Sequence, residues 1–284
     1  MIPMRDGIEL STLLIFPKTV QERYPVILMR TPYSKERLAQ YYMHLVDNGY
    51  VLALQDVRGR FGSEGIFEPF VNEGKDGYDA IEWIASQSWC SGNIGMLGTS
   101  YDGWVQYCAA IEKPPHLKTI IPVCAPVDMF YDIPYKYGIF VPFTLAWSEI
   151  IEKNATLDVT GKKIQEIYSK NWQQLLQHQP VSELDTIALS KRLGYYQKWV
   201  QHDTKDDYWK QCCYLERLKE IKIPVFIQSG WFDTQLRHSK LAYNELSKSG
   251  NKNIKLIIGP WAHIDRESKY YKGKFLGEAA DDIN

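Results

Sequence analysis

The chain has 284 residues, 45% hydrophobic and 24% charged, ordinary globular usage that leaves a disordered or low-complexity reading with nothing to rest on. Lys and Arg total 33 against 34 Asp and Glu, and no segment gathers the basic run that a phosphate backbone needs, so nucleic acid is not an expected partner. No apolar run reaches the roughly eighteen residues of a membrane span, and Met1-Ile2-Pro3-Met4-Arg5-Asp6-Gly7 carries a charge pair where a signal peptide needs apolar residues; a cytoplasmic protein is expected.

In chain order, short apolar runs alternate with helical patterns. Val26-Ile27-Leu28-Met29 reads as a strand buried on both faces, followed by a helix over Glu36 to Asn48 and a second strand at Val51-Leu52-Ala53-Leu54. Gly74 to Gln87 follows as an amphipathic helix, then strands at Ile94-Gly95-Met96-Leu97 and Ile120-Ile121-Pro122-Val123. Asp56 and Arg58, in the glycine-rich stretch after the second strand, are expected to pair with each other. That stretch lacks the G-x-G-x-x-G and Gly-Lys-Ser/Thr patterns of a phosphate loop. From about Met129 to Leu218 the alternation lapses into aromatic, helical sequence. It resumes with strands at Pro224-Val225-Phe226-Ile227 and Ile254 to Ile258. The expected fold is therefore α/β: a mostly parallel sheet flanked by helices, residues 1–128 and 219–284, interrupted by a helical cap insertion at 129–218. The 9 Trp and 19 Tyr imply either broad core packing or an aromatic-lined pocket. Five cysteines, an odd number with no C-x-x-C pair, signal neither a disulfide framework nor a zinc knuckle.

Gly98-Thr99-Ser100-Tyr101-Asp102-Gly103 lies between a strand and a helical pattern, the order required of a nucleophile elbow in an α/β-hydrolase. The common G-x-S-x-G places glycine at 102, whereas here it comes at 103. An ordinary strand-to-helix turn with a serine N-cap is the bland alternative. Partners decide between the two. In this fold the acid and then the base follow in the chain, just past later strands. Asp233 and His263 each lie five or six residues beyond one. The expected catalytic residues are Ser100, Asp233 and His263, with no metal and no cofactor.

At these residues the sequence resembles the cocaine esterase and X-prolyl dipeptidyl-peptidase-like hydrolases, the CocE/NonD family, whose elbow reads G-x-S-Y-x-G. Arg30-Thr31-Pro32-Tyr33, Gln55-Asp56-Val57-Arg58-Gly59, Gly230-Trp231-Phe232-Asp233 and Gly259-Pro260-Trp261-Ala262-His263 share the resemblance, which covers nearly the whole chain. It implies an oxyanion hole formed by the Tyr33 hydroxyl and the backbone N–H of Tyr101. It also implies a serine hydrolase that cleaves an ester or amide through an acyl-enzyme, of the acyl esterase or X-Pro dipeptidyl-peptidase type, acting on small molecules or short peptides. A peptidase would want carboxylates for a free amino terminus, and Asp128, Asp132, Asp206 and Asp207 are candidates, with solvated surface charge as the plainer reading. Family members generally continue into a C-terminal β jelly-roll, which this sequence is expected to lack. An inactive or incomplete remnant serving as a binding module is the alternative function.

Overall fold

The computed structural model describes residues 1–141, 143–152, 172–263 and 269–281. The chain divides into two compact units, one of Met1–Val127 with Tyr214–Asn284 and the other of Asp128–Cys213.

The first unit is built on a seven-stranded sheet of β1 (Thr12–Ile15), β2 (Tyr24–Thr31), β3 (Val51–Asp56), β4 (Cys90–Thr99), β5 (Leu117–Val123), β6 (Val225–Phe232) and β7 (Ile254–Ala262). Their spatial order is β7-β6-β5-β4-β2-β3-β1. All neighbours are parallel except the edge pair β1 and β3. The expected mostly parallel sheet is thus present, with the half-buried antiparallel edge strand β1 as an addition. Order in sequence and order in space diverge at β2, β3 and β4, and the sheet's carboxyl ends on either side of such a switch are where α/β sheets place their ligands.

Helix α1 (Lys35–Asp47) covers one face. Register puts Ile27 beside Leu52, Met29 beside Leu54, and Leu13 and Ile15 beside Leu54 and Leu52, so these side chains share a face. Val46, Leu38 and Leu45 of α1 pack on them. Helices α2 (Glu73–Ala85) and α3 (Tyr101–Ile111) pack together so closely that a Cβ on Gly77 would lie 2.7 Å from the Ala109 methyl. Helix α4 (Leu236–Ser247) follows β6.

A buried ionic network lies beside α2. Arg30, fully buried, donates to Gln55 at 2.8 Å and to the Glu73 carbonyl at 2.9 Å, and pairs with the Glu73 carboxylate at 2.8 Å. The expected Asp56–Arg58 pair does not form. Asp56 is held by Lys35 at 2.6 Å, whereas Arg58 reaches Asp76 at 2.6 Å and Asp6 at 2.8 Å. Asp56 closes β3 and Arg58 lies in the turn that follows, so the alternation of a strand does not hold their side chains on one face.

In the second unit many of the aromatic residues are core, although Tyr131 and Tyr137 are exposed. Trp199, Trp209 and Tyr196 are fully buried, Trp199 lies 5.0 Å from Tyr195 and 6.2 Å from Trp147 between ring centroids, and Tyr135 donates to the Trp199 carbonyl at 3.1 Å. Asp128 is only 2% exposed, which overturns its reading as solvated charge. It accepts from Lys205 at 2.7 Å and from the Cys213 thiol at 3.0 Å. Asp206 caps a helical turn at Tyr208 and meets His202 at 2.5 Å, Asp207 pairs with Lys210, and the Asp132 side chain falls outside the described residues. Among the described residues no helix is long and apolar enough to cross a membrane.

Candidate active site

Ser100 joins β4 to α3 with φ 61° and ψ −118°, a backbone conformation that costs a residue with a side chain about 1–3 kcal/mol. Its hydroxyl makes no capping bond to α3, and an N-cap residue has ordinary extended backbone, so the helix-cap alternative does not hold. The turn closes through the Gly103 and Trp104 amides, which donate to the Ser100 carbonyl at 3.0 and 2.9 Å, while the Ser100 amide donates to Val123 at the end of β5 at 2.8 Å.

The glycine shift has a steric cause. A Cβ on Gly98 would lie 2.6 Å from the Asp102 Cβ, so the first turn of α3 folds directly over position 98. A Cβ on Gly103 would meet the Ala125 methyl at 2.9 Å, the Gly98 carbonyl at 3.0 Å and the Val123 carbonyl at 3.1 Å. The crowding that demands glycine thus falls at 103, whereas Asp102 is buried with room for its side chain.

Asp233 and His263 lie directly at the ends of β6 and β7 rather than several residues beyond them. Both strands run on through Gly230 and Gly259, with a register irregularity between Gly230 and Phe232. A Cβ on Gly230 would fall 2.0 Å from the Trp261 carbonyl, and one on Gly259 2.2 Å from the Trp261 ring. The two strand ends therefore interlock around Trp261, which fixes the residues that follow.

His263 Nδ1 lies 2.8 Å from Asp233 Oδ1. A carboxylate only accepts, so this nitrogen carries the proton and Nε2 is left as an acceptor. Asp233 is 7% exposed and also accepts from the Ser229 hydroxyl at 3.0 Å and the Gln235 amide at 2.9 Å. Burial alone would push its carboxyl up. The bond from His263 and, when the imidazole is protonated, its charge, with the Cys124 thiol and the Gln235 amide, outweigh that and hold it below the usual carboxylate value.

Tyr33 follows Pro32 at the end of β2, half-buried, its N–H donating to Thr31 Oγ1 at 3.1 Å, and Arg60 pins the Pro32 carbonyl at 3.0 Å. The Tyr101 phenol is committed elsewhere, donating to Glu73 at 2.8 Å and accepting from the Phe70 amide at 3.2 Å. Its backbone N–H opens α3, among the amides that have no acceptor within the helix.

Among the described residues Cys124, Asp233 and His263 form the one group of potential metal ligands, their ligand atoms within 4.8 Å of one another. The hydrogen bonds already on Asp233 account for that proximity. His238 and His202 lie outside this group, His238 accepting from the Val127 amide and His202 meeting Asp206.

The X-Pro dipeptidyl-peptidase (S15 family) model matches residues 6–265. The chain belongs to this family. Cocaine esterase from Rhodococcus sp. (strain MB1 Bresler) is 30% identical over 290 residues, covering 97% of this chain and 50% of that protein. Among solved structures, an aminopeptidase from the marine sediment archaeon Thaumarchaeota archaeon superposes with TM-score 0.77 at 25% identity, over 93% of this chain and 48% of that one. An α-amino acid ester hydrolase gives 0.75 at 26%, over 93% and 47%. The chain thus spans about half the length of these relatives. The α/β-hydrolase fold and the resemblance to cocaine esterase expected from the sequence are both borne out.

Four residues that support the candidate site were given no role in the sequence reading. Cys124 and Ser229 hold Asp233, Trp261 locks the two strand ends, and Thr31 holds the Tyr33 amide. Small polar residues at strand ends carry no periodic signal, so only the fold gathers them.

Proposed function

We propose that the chain is a serine hydrolase acting by acyl transfer, with Ser100 as nucleophile, His263 as base and Asp233 as the acid that orients it. His263 Nε2 takes the Ser100 proton as Oγ attacks an ester or amide carbonyl. The oxyanion is received by the Tyr33 hydroxyl and the Tyr101 amide. Collapse expels the alcohol or amine, protonated by His263, and water then releases the acid by the reverse sequence. The observation that carries this reading is the 2.8 Å Asp233–His263 bond at the ends of β6 and β7, in the same sheet whose β4 ends in the positive-φ serine.

Small esters are the proposed substrates, supported by the names of the cocaine esterase and ester hydrolase relatives. X-Pro peptides, the namesake substrate of the family, receive less support. Asp128, Asp206 and Asp207 are each already paired with a base, which leaves these three poorly disposed to hold a free amino terminus. A reducing compartment such as the cytoplasm suits five cysteines present as thiols, four of them buried.

Intact mass after treatment with a fluorophosphonate tests the reading. One adduct is expected on the wild-type chain and none on Ser100→Ala. A folded wild-type chain that takes no adduct would overturn the proposal and favour a binding module.

A further inference from the structure

We propose that Glu73 is a positioning residue: by holding the Tyr101 phenol it fixes the first turn of α3, and with it Ser100 and the amide that meets the oxyanion. The inference rests on the reading of Ser100 as nucleophile and of the Tyr101 amide as an oxyanion donor. Glu73 opens α2 and is 4% exposed. Its Oε1 accepts from the Tyr101 hydroxyl at 2.8 Å, and its Oε2 lies 2.8 Å from Arg30 Nη1.

Tyr101 directly follows the nucleophile, yet its side chain is buried, 3% exposed, with its ring 5.3 Å from that of Phe70 and 5.5 Å from that of Trp104 between centroids. The phenol gives its one proton to Glu73 and accepts from the Phe70 amide at 3.2 Å. The Ser100 carbonyl takes the Gly103 and Trp104 amides, so the peptide between Ser100 and Tyr101 moves with the first turn of α3 as one body. Bonds inside that turn set its shape and not its place against the sheet. The phenol bond leaves α3 for α2, and so bears on the place. Any shift of the turn carries the Ser100 backbone and the Tyr101 amide with it, away from the position an oxyanion will occupy.

Glu73 is itself fixed from the other side. Arg30 donates to the Glu73 carbonyl at 2.9 Å and to Gln55 at 2.8 Å, and it belongs to β2, the strand whose end leads to Tyr33. The contacts thus run from the strand that leads to one oxyanion donor to the helix that carries the other. An apolar side chain would fill the place of Glu73 at less cost in desolvation, but only a polar one can hold the phenol.

The test is the second-order rate of fluorophosphonate labelling of Ser100, taken per folded chain, with urea unfolding measured on each variant. Tyr101→Phe deletes one oxygen and keeps the ring packing. Glu73→Met keeps the length of the side chain and removes the acceptor, whereas Glu73→Gln offers the phenol a hydrogen-bonding partner in either orientation of its amide. Tyr101→Phe and Glu73→Met should each slow labelling about tenfold, as a displacement under 1 Å at a reacting centre does. Glu73→Gln should stay within about threefold of wild type. The double variant Tyr101→Phe/Glu73→Met should be no more than about threefold slower than either single one, because both remove the same bond; independent effects would multiply to about a hundredfold. A lower urea midpoint with labelling at the wild-type rate in Tyr101→Phe, glutamine as slow as methionine, or losses that multiply would each overturn the proposal and leave Glu73 a structural residue. Should Glu73→Met not fold, Tyr101→Phe and Glu73→Gln decide by the same criteria. A folded wild-type chain that does not label would overturn the nucleophile reading and the proposal with it.

Discussion

Substituting alanine for Gly98 should disarm Ser100 without touching it. The new methyl would lie 2.6 Å from the Asp102 Cβ and 2.7 Å from the Asp102 carbonyl oxygen, where carbon atoms ordinarily rest about 3.5–4.0 Å apart. Neither neighbour is the free end of a flexible side chain, so relief requires the end of β4 and the first turn of α3 to separate by about 1 Å. Residues 98 and 102 bracket Ser100, which must move with them. A displacement of about 1 Å at a reacting centre costs on the order of a hundredfold in rate, and overpacking about 1–3 kcal/mol of stability. Fluorophosphonate labelling should therefore slow by roughly two orders of magnitude in a chain that still unfolds cooperatively in urea. Gly194→Ala is the control. No atom lies within 4 Å of its added Cβ, and the position opens a helix, so stability should hold or rise by up to about 1 kcal/mol with labelling unchanged. Wild-type labelling by Gly98→Ala would refute the argument that this contact sets the elbow.

Arg30→Met should cost about 3–5 kcal/mol in urea unfolding, because it strips the buried Glu73 carboxylate of its 2.8 Å partner. Adding Glu73→Gln should recover a good part of that loss, and a strictly additive double variant would count against a coupled pair. Asp233 makes stability depend on pH. Its folded value lies below the ordinary one, so its contribution is fully present above about pH 4 and is lost as pH falls through the folded value. The urea stability of wild type over Asp233→Asn should accordingly narrow on acidification below about pH 4, and a gap constant from pH 7 to pH 2 would show that His263 and its neighbours do not hold the carboxylate.

The strands of this sheet were legible because burial on both faces removes polar alternation. Val51–Asp56 is buried at every position, and such a run has no other stable use at that length. Thr12–Ile15 escaped notice for the opposite reason. It is an edge strand of four half-buried residues, and its pairing with β3 is a tertiary fact. The carboxyl ends of β6 and β7 read as loops because Gly230 and the Gly259-Pro260 pair resemble turn signals. In the structure those glycines are there because Trp261 passes where a Cβ would stand. Asp56 and Arg58 illustrate the same limit: proximity in the chain suggested a pair, whereas the partners come from α1 and α2.

The site was more legible than its supports, and the elbow shows why. A serine forced to φ 61° leaves a mark in the sequence, since the close passages it requires exclude every residue but glycine at 98 and 103. The position between, 102, is not excluded in this way. It is free to carry a side chain that the turn itself does not require, and here it carries a carboxyl that must be desolvated to fit. Strain at Ser100 is thus held by contacts that a motif can record, while the alignment of the other candidate residues depends on bonds between separate strand ends, such as that of His263 with Asp233, that only the folded sheet brings into reach.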